Sequence, residues 1–156
     1  MKTKKLSALL TGFSLALILL TGQQVQATLG ESADSVEANK KALHAVSSVT
    51  RTTSKYTVHE IHSEVNDVRE YVSPSGIVFG IAWNGLTNPD LTQLLGTYAS
   101  EHKKAVSQFK RQPGRRHSRI KSDNIVVERW GHMRNMQGRA FVPALIPEGV
   151  SIDEIK

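Results

Sequence analysis

Two histidines and an acid stand close together in the stretch from His59 to His62, and these residue types bind metal ions. The surrounding residues are rich in β-formers, and neighbouring side chains on a strand point to opposite faces. His59 and His62 would then face opposite sides, and only Glu60 and His62 would share one. The helical zinc signature needs histidines four residues apart, and two ligands do not make a zinc site. We therefore expect surface or cross-strand polar pairs here and no metal.

A histidine and two arginines beside glycines form the second candidate group. They are His132, Arg134 and Arg139, and together they could hold an anionic group. Alternatively, Gly131 marks a bulge or bend and the charged side chains belong to the solvent face. The sequence leaves both interpretations open.

His102 is the third candidate, since it lies on the apolar face of a predicted helix. A catalytic base would need a nucleophile or a carboxylate partner, so we expect a histidine at the edge of the core, hydrogen-bonded to the sheet. The sequence has no nucleophile elbow, phosphate loop or suggestive acid pair. We predict no catalytic residues and no cofactor. The alternative is an enzyme that acts on an envelope component through His132, Arg134 and Arg139.

The strongest electrostatic feature is the basic segment, residues 103–121, which holds eight basic residues and no acid. Such a segment could bind polyanions. Nucleic acid is disfavoured because no aromatic residue lies between Lys110 and Lys121 to stack on bases. We predict anionic glycans or lipid headgroups as partners, with an ordinary solvated loop as the alternative. The candidate anion-binding residues are Arg111, Arg115, Arg116 and Arg119.

The first 27 residues predict export. Lys2, Lys4 and Lys5 form a positive region, an apolar run extends from Leu6 to Leu20, and small residues precede a cleavage point after Ala27. We therefore predict a signal peptide over 1–27, a periplasmic or secreted protein, and no transmembrane segment after cleavage. The chain contains no cysteine, which excludes disulfides and thiolate sites.

The remaining elements predict a single α+β domain: a mainly antiparallel sheet of four to six strands with one long amphipathic helix on a face and a short N-terminal helix. Ile77 to Trp83 alternates strictly and is apolar on both faces, so it should be the central strand. The long helix should run from Pro89 to Phe109. A lead-in, a short helix from Ser35 and a linker fill 28–55, the domain covers 56–147, and 148–156 form a tail.

Several stretches together resemble one known family. They are Tyr56-Thr-Val-His-Glu-Ile61, Arg69-Glu-Tyr-Val-Ser-Pro-Ser-Gly-Ile-Val-Phe79, Trp83-Asn-Gly85, Pro89-Asp-Leu-Thr-Gln-Leu-Leu-Gly96, Gly131-His-Met-Arg134 and Gly138-Arg-Ala-Phe-Val-Pro-Ala-Leu-Ile-Pro147. The chain resembles bacterial domain-of-unknown-function family 2844, small exported proteins. The resemblance implies export and supplies no activity, cofactor or catalytic residue. The sequence thus favours a non-catalytic binding or assembly module of the cell envelope.

Overall fold

A seven-stranded antiparallel sheet organises the molecule, with strand order β1-β2-β3-β4-β7-β6-β5. The structure, a computed structural model, describes residues 29–33, 36, 40–41, 43–109, 114 and 116–156. The α+β class and the central place of β4 are confirmed. The strands are β1 Ser47–Thr52, β2 Thr57–His62, β3 Asn66–Val72, β4 Val78–Gly85, β5 His117–Lys121, β6 Val126–His132 and β7 Asn135–Phe141.

The predicted count of four to six strands is wrong, because two further strands form the edges of the sheet. β1 occupies a Ser/Thr-rich stretch that predicts a linker, and all six of its side chains are exposed. β5 occupies the end of the basic segment, which predicts irregular structure, and only Ile120 of β5 is buried. An edge strand needs no apolar periodicity when backbone pairing to one neighbour holds it, so the hydrophobic pattern misses both.

One long helical stretch packs across one face of the sheet. It consists of α1 Leu91–Leu95, a 3-10 turn Gly96–Tyr98 and α2 Ala99–Gln108. The side chain of Asp90 caps α1 by accepting from the Thr92 amide at 2.8 Å. Leu94 and Leu95 are buried in the larger apolar cluster. The short N-terminal helix predicted from Ser35 is not among the elements described, since residues 34–35, 37–39 and 42 lie outside the described part.

A bulge in β4 changes the faces that its side chains reach. Tyr71 pairs with Gly80 but Val72 pairs with Val78, so Phe79 is the extra residue. Phe79 therefore lies in the apolar cluster opposite the helix, while Ile81 and Trp83 lie in the helix-side cluster. The strict alternation from Ile77 to Trp83 predicts one face for all of them, and that expectation is wrong at Phe79.

The opposite face is covered by the last residues of the chain. Ile155 is fully buried. Its Cδ1 packs so closely on Gly80 that a Cβ added to Gly80 would lie only 2.9 Å from it. A turn at Ile152–Glu154, closed by a capping box from Ser151, sets this segment against the sheet. Residues 148–156, which the sequence predicts as a tail, thus cover part of the core. The described part of the chain contains no helix with the length and hydrophobicity to cross a membrane.

Candidate functional site

A row of charged side chains crosses the face that the C-terminal segment covers. The strand register aligns Glu60 with Arg69, Arg69 with Ala82, Ala82 with Arg139, Arg139 with Glu128, and Glu128 with Arg119. Residues aligned in neighbouring strands share one face of a sheet. We call these five charged residues the charged row, interrupted in the middle by Ala82.

Glu128 is the most buried member of the charged row, at 5% exposure. Its two carboxylate oxygens contact different arginines: Oε2 accepts a hydrogen bond from Arg139 Nε at 2.6 Å, and Oε1 forms an ion pair with Arg119 Nε at 3.3 Å. A buried carboxylate is tolerated when both oxygens are paired in this way. Arg119 and Arg139, two of the predicted binding residues, therefore have a structural partner.

The arginines of the charged row also hold the C-terminal segment. Arg139 Nη1 donates to the carbonyls of Ile152 at 2.7 Å and Ile155 at 3.3 Å. Arg69 Nη1 donates to the carbonyl of Lys156, and Tyr71 Oη donates to the same oxygen at 2.8 Å. The Ile155 and Lys156 carbonyls lie outside the strands and helices, and the Ile152 carbonyl also accepts from the Ile155 amide at 3.1 Å. Together with Tyr71, the charged row therefore fixes the segment that covers the apolar cluster opposite the helix.

His132, Arg134 and Arg139 occupy two separate places. His132 aligns with Asn135 at the end of the β6–β7 hairpin, while Arg139 lies four residues further along β7, roughly 13 Å at strand geometry. Arg134 sits in the hairpin turn with a left-handed φ of 62°. Gly131, at φ 117°, allows a close approach to the Asn135 carbonyl, and it pairs with Met136 in regular register within β6.

Arg134 lines a groove of about 260 Å³ at this end of the sheet, together with Glu64, Asp67 and Asn84. Neither His132 nor Arg139 lines it. His132 is exposed, and its Nδ1 lies 3.1 Å from the carbonyl of Met133. An enzyme using all three side chains needs them around one cleft, and the described residues do not provide that arrangement.

The basic segment joins the helix to the edge strand β5. Lys103 and Lys104 are exposed on α2, and Arg116 and Lys121 are exposed at the two ends of β5. None of these four takes part in an ion pair with another described residue. Arg111 and Arg115, like Lys110, lie outside the described residues, so their part in the candidate site stays a prediction.

His102 is buried between α2 and the sheet, as its place on the apolar helix face predicts. Burial lowers its pKa, and the nearby Arg129 guanidinium lowers it further. Within the described part of the chain, Nδ1 has no hydrogen-bond partner. The expected hydrogen bond to the sheet is thus not made by that nitrogen, and the lowered pKa favours the neutral ring.

The histidines near Glu60 form separate polar pairs. His62 Nδ1 lies 2.8 Å from Asp67 Oδ1, and His59 Nδ1 lies 3.0 Å from Thr50 Oγ1. Among the described residues no group of three or more metal-ligating side chains comes together. Both histidines therefore contact polar residues of neighbouring strands, as the expected cross-strand pairs require.

Sequence reasoning missed two buried carboxylates. Glu70 is fully buried and aligned with His59 and Ile81, and Glu128 anchors the charged row. The usable signal for Glu128 is its opposition to arginines on both neighbouring strands, which requires the register. The register gives no such signal for Glu70, since its aligned neighbours His59 and Ile81 include no arginine. Its burial depends on the residues that pack over the helix-side face of the sheet.

The comparisons with known proteins add the family. A search of curated proteins and a search of solved structures return no match. A family model described as "Protein of unknown function (DUF2844)" matches residues 25–155, almost all of the sequence after the predicted cleavage point. The chain therefore belongs to the DUF2844 family.

Proposed function

We propose that the chain is an exported, non-catalytic binding module of the bacterial cell envelope. Its ligand is an anionic glycan or an anionic lipid headgroup, and the basic segment binds it. The signal-peptide anatomy of residues 1–27 supports export. Family membership supplies no activity and is compatible with this role.

The observation that carries the proposal is the separation of charge along the chain. Residues 28–156 hold 17 basic and 14 acidic residues, and eight of the basic ones lie in the basic segment. Nine basic and 14 acidic residues remain elsewhere, a net charge of −5. Elsewhere in the described part, arginines commonly pair with acids, as Arg51 does with Glu60 and Arg139 with Glu128. The exposed cations Lys103, Lys104, Arg116 and Lys121 are free of such pairs.

The place of the segment also supports ligand binding. Helix α2 contacts β5, and Glu101 accepts from the Asn124 amide at 2.9 Å, which ties the helix to the turn after β5. This hydrogen bond lowers the pKa of Glu101, so the tie persists well below neutral pH. The exposed cations therefore stand on anchored elements on either side of residues 110–115.

The binding experiment must leave Arg119 in place, because its guanidinium holds the buried Glu128. The test variant is Arg111→Ser/Arg115→Ser/Arg116→Ser. The matched control is Lys41→Ser/Arg51→Ser/Lys156→Ser, which removes the same three charges from exposed positions elsewhere. Retention on immobilised heparin is measured as salt rises, since exposed charges are screened within about 8 Å at physiological ionic strength.

We expect the parent and the control to elute at clearly higher salt than the test variant. The test variant should melt at the temperature of the parent, and the control slightly below it, because Arg51 loses its ion pair with Glu60. Vesicles with and without an anionic lipid then distinguish a headgroup from a glycan. Equal retention of test and control variants would mean that only net charge matters, and the binding proposal would fail.

Export is tested separately by expressing the full sequence in a bacterium. We expect the protein outside the cytoplasm, with its N-terminus at Thr28. Soluble full-length protein beginning at Met1 in the cytoplasm would refute the exported role without affecting the heparin result.

A further inference from the structure

Among the described residues, no strand pairs with the outer edge of β1. β1 is the first strand in the sheet order, and its six side chains are exposed on both faces. Its sequence, Ser-Ser-Val-Thr-Arg-Thr, contains no proline, lysine or acid. Natural edge strands are commonly protected by such residues or by bulges against pairing with another strand. β1 has regular pairing to β2 from Ser47 to Thr52 and no bulge.

The hydrogen-bond pattern shows which backbone groups of β1 point outward. The Thr53 amide donates to the Tyr56 carbonyl at 2.8 Å, which makes this pair a hydrogen-bonded one. Hydrogen-bonded and non-hydrogen-bonded pairs alternate in an antiparallel ladder. The backbone groups of Ser47, Val49 and Arg51 therefore point towards β2. Those of Ser48, Thr50 and Thr52 point away from the sheet.

We propose that β1 is a self-association edge, where two copies of the chain join their sheets through an antiparallel β1–β1 pair around a twofold axis. A twofold axis perpendicular to the sheet keeps the same face of both copies on one side. Residues that meet must then have the same parity. Registers with Val49, Thr50 or Arg51 at the axis all satisfy this rule and join the outward amides. We select the register that places Val49 opposite Val49 of the second copy and Ser48 opposite Thr50, because it gives Val49 an apolar partner and keeps the two Arg51 side chains apart.

The side chains of β1 suit this register. Val49 is 44% exposed, and pairing covers it with its own copy at the axis, an apolar contact between β-branched residues. Arg51 lies opposite Ser47 of the second copy, so the two arginines do not oppose each other. Each Arg51 keeps its own partner, since Nη2 lies 3.4 Å from Glu60 Oε2.

A second copy fits better than a different partner because β1 offers no charge to select one. Its single charge already has an acid beside it, and its remaining side chains are hydroxyls and a valine. The β5 edge cannot serve in the same way, because exposed cations line it and would repel their copies. One strand pair buries less than a standard interface, so the dimer should depend on concentration.

Sedimentation equilibrium of the purified protein tests the association. We expect a monomer–dimer equilibrium for the parent. Val49→Lys places two lysines opposite each other at the axis and should weaken the dimer at least about tenfold, or 1.4 kcal/mol. The control is Val65→Lys, at a valine of the same 44% exposure in the β2–β3 turn, and it should leave the dimer unchanged.

Proline tests the outward backbone groups. Ser48→Pro removes an amide that β2 does not use, and proline is tolerated on an edge strand when its missing N–H faces solvent. We expect a folded monomer, while Ser48→Ala, which keeps the amide, dimerises like the parent.

A cysteine substitution tests the register, since the chain contains no cysteine of its own. Opposite residues of a non-hydrogen-bonded pair have Cα atoms about 4.5 Å apart, within the disulfide range of about 4.4–6.8 Å. With diamide as the oxidant, Val49→Cys should give a covalent dimer far faster than Val65→Cys. A parent that stays monomeric at millimolar concentration, or equal cross-linking of the two cysteine variants, would overturn the proposal.

Discussion

The β1 edge and the β5 edge end the same sheet with opposite surfaces. β1 is neutral apart from one paired arginine, and nothing in the described part covers either of its faces. β5 carries Arg119 and Lys121, buries Ile120 and is contacted by helix α2. Positive charge on an edge disfavours the approach of another copy and favours an anionic ligand.

In the described part of the chain, each of the two end strands pairs with one neighbouring strand only. One edge is kept from pairing by charge and is tied into the fold through Glu128 and the helix. The β1 edge is held in the sheet by backbone hydrogen bonds to β2, and most of its exposed side chains carry hydroxyl groups. The proposed anion-binding surface and the proposed self-association edge then lie at opposite ends of the sheet.

The largest expected effect lies between the edges, in the central strand. Phe79 is fully buried at the β4 bulge and packs with Tyr71 and Tyr56 at ring-centroid distances of 6.2 and 6.1 Å. Phe79→Ala should lower the free energy of unfolding by about 3–5 kcal/mol, as for other buried aromatics. Urea unfolding measures the change. A melting temperature within a degree or two of the parent would show that β4 is not the centre that separates the edges.

The next effect concerns the connection between the β5 edge and the core. Arg139→Ala removes the shorter of the two ion pairs of Glu128 and two hydrogen bonds to the C-terminal segment. Breaking a buried ion pair from one side costs about 3 kcal/mol or more. We expect a loss near this value in urea unfolding, together with faster proteolysis near Ile152. Arg134→Gly, at a turn arginine with positive φ, is the control and should cost little or nothing.

A smaller loss in the free energy of unfolding is expected when one arginine is removed at either edge. Arg119 pairs with the buried Glu128 and Arg51 with the more exposed Glu60. Both guanidiniums are largely in water, so each pair should contribute at most about 1 kcal/mol. We expect Arg119→Ser to lose close to this amount and Arg51→Ser clearly less. Equal losses would contradict the claim that only the β5 edge is tied to the core by charge.

The smallest effect is a pH dependence on the β5 side. The pKa of His102 is lowered in the folded protein by burial and by Arg129, so the unfolded chain takes up its proton first. Its contribution to stability is present above the unfolded pKa of about 6.5 and is lost as pH falls through that value. Between pH 7.5 and 5.5 the parent should lose more stability than His102→Gln, whereas the exposed control His132→Gln should follow the parent. Parallel curves for parent and His102→Gln would contradict this account.

The sequence predicts the centre of this fold well and its edges poorly, for physical reasons. Apolar residues on both faces identify β4, and the helix period identifies the segment around Leu94 and Leu95, because both signals follow burial. β1 buries nothing, so its Ser/Thr composition indicates a linker. The bulge at Phe79 is invisible in the sequence because Ile77 to Trp83 is apolar on both faces, so a change of face brings no polar side chain into the core.

The candidate site shows the same limit. The basic segment is visible from composition, but the bond between Arg119 and Glu128 depends on the register of β5 and β6. Likewise, the distance between His132 and Arg139 follows from where the β6–β7 hairpin turns, at Met133 and Arg134. Sequence proximity placed these residues together, and strand geometry separates them.

The most direct test of the account is amide hydrogen exchange with and without a heparin oligosaccharide, at a dilution where the protein is monomeric. We expect slower exchange in residues 110–121 and at the exposed end of α2, and no change in Ser47–Thr52. Slower exchange in β1, or no change in the basic segment, would contradict the assignment of anion binding to the β5 edge.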